Sequence, residues 1–307
     1  MSRTPETSSG KAGSLAPAPA PAPVPAPVPT GLPLARLVEG SEARAYASLF
    51  DAAHATDPLL GFSTARVGSA LLLRSQSVSS TLLFNRVLGL GVFEPATPQH
   101  IQAVVAAYAD GRMPFGVELS PAAEPVDLPA LLKAHRLRKS LPAQILVRDG
   151  SAPPPRYASW TRATGLRVET VSCELAPVVA RICCENFNMP EPVGPLLQIG
   201  SCAPGWRRWL AFDGDAAVGA SLSFVEDGVA WLGWTSVLPS HRGRWVHAGI
   251  VARQLEDAHA AGCSWVTTET AVNSQEKPDA AYLNLRNFGF QDAYQRPFHI
   301  YQPRRIA

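Results

Sequence analysis

The run TSVLPSHRGRWVHAGIVARQLEDAHAAGC, residues 235–263, sets a basic turn, Arg242-Gly243-Arg244, between an apolar strand and a long helix. Pro239 stops the strand. From about Arg244 onward Ile250, Val251, Leu255 and Ala258 recur on one broad helical face, with Arg253 and Glu256 opposite. A helix start leaves its first amides without intrahelical acceptors and carries the positive end of the backbone dipole. Two guanidinium groups beside those amides make an anion site suited to a pyrophosphate. Trp245 stands at the tightest point of this turn.

Other reactive side chains are sparse. His241 precedes the turn and is expected to order it, and His259 is expected on the solvated face of the helix. Neither has a Cys or Asp at metal-ligand spacing, so no metal is expected. Cys173, Cys183, Cys184, Cys202 and Cys263 are odd in number and form no CxxC pair, which predicts reduced, mostly buried thiols. Cys183 and Cys184 are helix neighbours pointing to different faces, so packing accounts for them.

The elements that must position the basic turn follow from periodicity. Residues 16–29, APAPAPAPVPAPVP, are an extended proline-rich tether, and 1–33 are expected as a disordered tail, or a docking segment for a protein partner. From 34 to 150 we expect a helix near Ser41–Ala55, strands around Ala70–Arg74 and in TLLFNRVLGLGVF, and a helix capped by Thr97 with Pro98 in its first turn. Strand MPFGVELSP, helix DLPALLKAH and the extended RLRKSLPAQILVR close this half, and GSAPPPR reads as a linker. The second half, 151–307, opens with strand LRVETVS and two helices. Three strands follow, joined by Asp213-Gly214-Asp215 and Glu226-Asp227-Gly228. After the helix of the basic turn come strand CSWVTTETA, a helix through DAAYLNLRNFGF and terminal strand material. Hairpins mixed with crossovers predict an α+β class with a mixed sheet, and the matching order in the first half predicts an internal duplication.

Composition narrows the partners. A net charge of +2 and the lack of a basic stripe interleaved with aromatics exclude a nucleic-acid binder, leaving a small-molecule partner. No signal-peptide core and no run of about 18 to 20 apolar residues is found, so no membrane association and a cytoplasmic location are expected.

LPSHRGRWVHAGIV resembles the coenzyme A pyrophosphate loop of the GCN5-related N-acetyltransferase (GNAT) superfamily, R/Q-x-x-G-x-G/A, and NLRNFGF resembles its later helix-to-strand motif. The likeness covers roughly residues 40–303, and FNRVLGLGV, VELSP, WVTTETA and EKP are similar to bacterial tandem GNAT proteins with a degenerate first copy. It implies two tandem GNAT-like units. The first buttresses and the second binds acetyl-CoA, or another acyl-CoA, and transfers the acyl group to an amine on a small molecule or peptide.

What the resemblance implies can be placed residue by residue. Arg242 matches the loop's first position, with Gly243, Arg244, Trp245, Val246 and His247 completing it; Trp245 replaces the central glycine and His247 the last small residue. Either the indole flanks a working site or it closes one, which would leave a non-catalytic scaffold. A third reading has Trp245 and Trp234 shaping the site for a fatty or aromatic acyl chain. Ser236, Val237 and Leu238 are expected along the pantetheine arm, and Asn284 matches a coenzyme-contacting asparagine. Glu269, the one acid in the central strand pair, is the expected base. Leu285 occupies the position of the usual tyrosine acid, leaving Tyr282 as the substitute. Cys184, Glu185, Phe187, Met189 and Trp234 are expected to line the acceptor pocket.

Overall fold

The computed structural model describes residues 28–79, 81–109 and 113–303, so the expected tail lies outside the described residues up to position 27. Its last positions belong to a helix instead, since α1 runs Gly31–Thr56. It begins ten residues before the expected start because its first turns carry Glu39, Ser41 and Glu42 on the buried face, which hides the apolar period.

The first half continues with β1 (Phe62–Val67), β2 (Ala70–Ser75), β3 (Arg86–Leu88), α2 (Pro98–Ala109), β4 (Phe115–Glu118), α3 (Leu128–Ala134), β5 (Arg138–Lys139) and β6 (Ala143–Asp149). The second half holds α4 (Tyr157–Thr164), β7 (Arg167–Val171), α5 (Ala176–Phe187), α6 (Val193–Gly200), β8 (Trp206–Asp213), β9 (Ala216–Glu226), β10 (Val229–Val237), α7 (Val246–Ala260), β11 (Trp265–Ala271), α8 (Ala280–Asn287), β12 (Gln291–Arg296) and β13 (Phe298–Tyr301). Two elements go beyond the expectation, β1 and α4. Helix α4 buries none of its residues fully and follows a proline run, so no apolar period announces it.

The strands form two sheets, one ordered β1-β2-β3-β4-β13-β5 and the other β12-β6-β11-β10-β9-β8-β7. Each repeats one plan: an antiparallel meander, a helical crossover to a parallel neighbour, and a further helix. The parallel pairs are β3 with β4 and β10 with β11. A cut at residue 150 does not separate the sheets, because β6 pairs with β11 and β12 while β13 returns to β4. The exchange is reciprocal, and each exchanged strand follows a proline-containing corner, Pro142 or Pro297, that ends one ladder before the next begins.

The largest core cluster also spans both halves: Tyr46, Leu49 and Phe50 of α1 pack with Leu73 and Phe84 and with Ile182, Leu196, Leu222 and Trp231. Helices α1 and α6 approach so closely that a methyl group on Gly200 would collide with the Leu49 carbonyl. Gly200→Ala is therefore expected to lower stability by about 1–3 kcal/mol, read from urea denaturation. Two cysteines depart from the expectation of free thiols: Cys173 and Cys202 are joined, with Cα atoms 5.7 Å apart, within disulfide reach. Cys183, Cys184 and Cys263 are free. No helix among the described residues is long and apolar enough to cross a membrane.

Candidate active site

Strands β10 and β11 pair only at their first residues, Val229 to Trp231 against Trp265 to Thr267, and then part. Beyond the last pair the gap is bridged by a side chain, Thr268 Oγ1 donating to the Leu232 carbonyl at 2.9 Å. On its other edge β10 slips register against β9 between Gly233 and Ser236, where Trp234 takes φ 60°. Such a bulge reverses which face the following side chains take. Leu232 packs on the α7 side of the sheet, while Trp231 and Trp234 both join the core under α1 and α5. The indole of Trp234 lies against Phe84 and Phe187, with ring centroids 6.1 and 5.7 Å away.

The parted strands open onto a cavity of about 670 Å³ that reaches both faces of the sheet. On the helix side it meets His247, Val251 and Gln254 of α7, and Asp279, Ala281 and Leu285 at the start of α8. On the other side it meets Tyr46, Leu82, Leu83, Arg86, Glu118 and Leu141 from the first half, with Phe187, Met189 and Trp234. The first half thus does more than buttress: it supplies one wall and part of the floor.

That floor is ionic. Arg296 Nη1 stands 3.1 Å from Glu39 and 2.6 Å from Glu42, and its Nη2 stands 2.7 Å from Glu269 and also meets Glu118. Arg86 pairs with Glu42 at 3.0 Å and with Glu118, its guanidinium 4.4 Å above the Tyr46 ring. Four carboxylates therefore share two guanidinium groups. Glu42, Glu118 and Glu269 bring oxygens within 4.8 Å of one another, a spacing that suits a cation, and the two arginines already stand among them. Glu39 and Glu269 are both pushed up to about 7, first by burial; for Glu269 the charge of Glu42 adds to this and Arg296 opposes it. Glu42, although burial acts upward on it too, is held down by Arg296 and Arg86. The Glu269 side chain is 30% exposed and lines the cavity, so it is a carboxyl near neutrality with access to a ligand.

The basic turn lies at the α7 end. Among the described residues, the amides of Gly243, Trp245, Val246 and His247 meet no backbone carbonyl. Arg242 reaches Asn186 Oδ1 at 2.9 Å and meets no carboxylate, whereas Arg244 pairs with Asp213 at 3.0 Å. His241 bonds Asp213 as well, at 3.2 Å, and with Arg244 holds that carboxyl below its ordinary range. Trp245 occupies the left-handed region at φ 63° where a glycine would be unstrained, and its carbonyl accepts from Trp160 Nε1 at 3.0 Å. Trp245 is 64% exposed as a residue and does not line the cavity. His247 does line it, and burial pushes its imidazole down to about 4, so it is neutral at pH 7.

The structure brings Glu269, His247, Phe187, Met189 and Trp234 together around the cavity, with the free amides of the turn beyond. Other expected residues fall outside it. Ser236, Val237 and Leu238 lead from the cavity to the turn, and the wall itself is Leu232 to Thr235, because the bulge comes first. Tyr282 does not line the cavity; its hydroxyl donates to Asp292 on β12 at 3.0 Å. Asn284 is also outside, 3.4 Å from His247 Nδ1. Cys184 packs against the core, and Glu185 turns outward to Arg181 at 3.3 Å. Residues missed from sequence include Glu118, Arg86 and Arg296. For Arg86 and Glu118 the signal was a charge among apolar strand residues, in FNRVLGL and FGVELS, which demands a buried partner, whereas Arg296 ends the polar strand QDAYQR and carries no such signal.

No family model and no curated protein matches this sequence. Solved structures do. A GCN5-related N-acetyltransferase from Kribbella flavida aligns over 84% of this chain and 96% of its own, with TM-score 0.57 and 17% identity. One from Sphaerobacter thermophilus aligns over 92% and 95%, with TM-score 0.55 and 16% identity. The chain has the GNAT fold, an α+β fold of mixed sheets flanked by helices. It has that fold twice over: a tandem GNAT protein from the clavulanic acid biosynthesis pathway aligns over 88% of this chain and 98% of its own, with TM-score 0.54 and 16% identity.

Proposed function

We propose that the chain is an acyl-CoA-dependent N-acyltransferase, with acetyl-CoA as donor and a small-molecule amine as acceptor. The observation that carries this is the parting of β10 and β11 onto a cavity with Glu269 at its floor. The free amides and Arg242 at the start of α7 fit a pyrophosphate. Backbone groups of Leu232 to Thr235 line the path of a pantetheine arm toward the cavity. The acceptor enters from the α1 and α5 side. Its nitrogen attacks the thioester carbonyl, forming the C–N bond, while Glu269 takes the nitrogen's proton; the C–S bond breaks and the thiolate leaves to be protonated by solvent.

Two features favour the second reading, a scaffold with a closed site: Trp245 in the loop and Leu285 where a tyrosine acid is usual. The exposed tryptophan weighs against it. Titration of acetyl-CoA tests the assignment of the loop. Arg242→Ala is expected to weaken binding by about 10- to 100-fold, the worth of a charge-assisted contact. Wild-type affinity in that variant would show that the loop does not hold the pyrophosphate.

A further inference from the structure

Trp245 holds a left-handed backbone, φ 63°, which a residue other than glycine keeps only where its surroundings impose it. What imposes it stands on α4. Trp160 Nε1 donates to the Trp245 carbonyl at 3.0 Å, and the same oxygen accepts from the Gly249 amide, one turn into α7, at 3.1 Å. A peptide unit is planar and trans, so fixing its carbonyl also fixes the N–H on its opposite side. That N–H belongs to Val246. The carbonyl runs along α7 toward Gly249, so the N–H points ahead of the helix start, where among the described residues it meets no backbone carbonyl. A carbonyl that accepts two bonds also polarises its own peptide unit, which makes this N–H a stronger donor.

The contact is shaped from both sides. Gly249 sits in the interior of α7, where glycine is unfavourable, and a methyl group there would collide with the Trp160 ring. Helix α4 buries none of its residues fully, yet it is fastened to α7. Tyr157 donates its amide to Glu256 at 3.2 Å, and the Arg253 guanidinium lies 5.0 Å from the centre of the Tyr157 ring. The rings of Tyr157 and Trp160 stack with centroids 5.3 Å apart. Neither Trp160 nor Gly249 lines the cavity, so the acyl-transfer step makes no use of them.

We propose that Trp160 is a positioning residue for the coenzyme's pyrophosphate, acting through the Trp245–Val246 peptide to hold the Val246 N–H at the anion. The inference rests on the acyltransferase reading of the α7 turn. It accounts for a tryptophan at position 245: the bond from α4 holds the conformation that a glycine would adopt unaided.

The test is calorimetric titration of acetyl-CoA, and of S-acetylpantetheine, which carries the thioester arm without the nucleotide and its pyrophosphate, into the full chain, Trp160→Phe and Gly249→Ala. Trp160→Phe keeps a ring against Gly249 and removes the donor. It is expected to weaken acetyl-CoA binding by about five-fold, the worth of one neutral hydrogen bond, and to leave S-acetylpantetheine unchanged. Gly249→Ala displaces the indole from the other side and should give a loss of about five-fold or more, again for acetyl-CoA alone. The ratio of the two affinities is the readout, because a merely structural lesion weakens both ligands alike. A wild-type ratio in Trp160→Phe, or an equal loss for both ligands, would overturn the role of Trp160 and leave the loop's assignment standing. A wild-type protein that holds acetyl-CoA no better than S-acetylpantetheine would overturn the pyrophosphate site itself, and this inference with it.

Discussion

Glu269→Gln is expected to lower kcat by about 10²- to 10⁴-fold, the usual worth of a positioned general base, while acetyl-CoA still binds. Burial and Glu42 push Glu269 up to about 7, and the carboxyl works as a base only when deprotonated. The wild-type kcat/KM should therefore rise with pH and level off above an inflection near 7. The glutamine variant should lose that inflection. Glutamine keeps the size of the side chain and an oxygen for Arg296, so the ionic floor stays assembled. A variant that keeps wild-type kcat, or keeps the inflection, would move the base elsewhere.

Arg296→Met should have the largest effect on folding. It removes the one group that touches Glu39, Glu42, Glu118 and Glu269 together, leaving Arg86 alone among three buried acids and the partly exposed Glu269. Breaking a buried ion pair from one side costs about 3–5 kcal/mol. The loss should deepen as pH rises. Glu39 and Glu269 have folded pKa values raised from 4.5 to about 7, so their contribution to stability is fully present below pH 4.5 and is lost as pH rises through about 7. Without Arg296 nothing on β12 offsets the charges that then appear. Urea denaturation at pH 5.5 and pH 8 reads this directly, and adding Glu39→Gln and Glu118→Gln should recover much of the loss. A variant equally stable at both pH values would show that the network does not bear on folding.

How much of this was legible depends on the kind of signal. The meander β8-β9-β10 and helix α7 were readable because Asp213-Gly214, Glu226-Asp227-Gly228 and Pro239 mark local turns, and local chemistry sets them. Strand β6 was readable as a strand, but its partner was not. The continuous apolar run Ile145-Leu146-Val147 says that two faces are covered and leaves open which sheet it joins, so the reciprocal exchange with β13 was invisible. Glu269 could be singled out because it stands alone as an acid in its strand pair, and it lines the cavity. The carboxylates that raise its pKa, Glu42 and Glu118, lie on α1 and β4, up to about 230 residues away in sequence, and only the packing of both halves brings them together. Tyr282 shows the opposite error: proximity to Leu285 along the helix suggested the acid, yet its hydroxyl turns to Asp292.

The account stands most directly on whether the α7 turn holds coenzyme A with Trp245 in place. Calorimetric titration of acetyl-CoA into the wild-type protein and into Trp245→Gly decides it. The exposed tryptophan predicts saturable binding to wild type in the roughly micromolar range usual for enzyme substrates, little changed by the glycine. Binding that appears only in Trp245→Gly would contradict it, and would mean that the tryptophan closes the site.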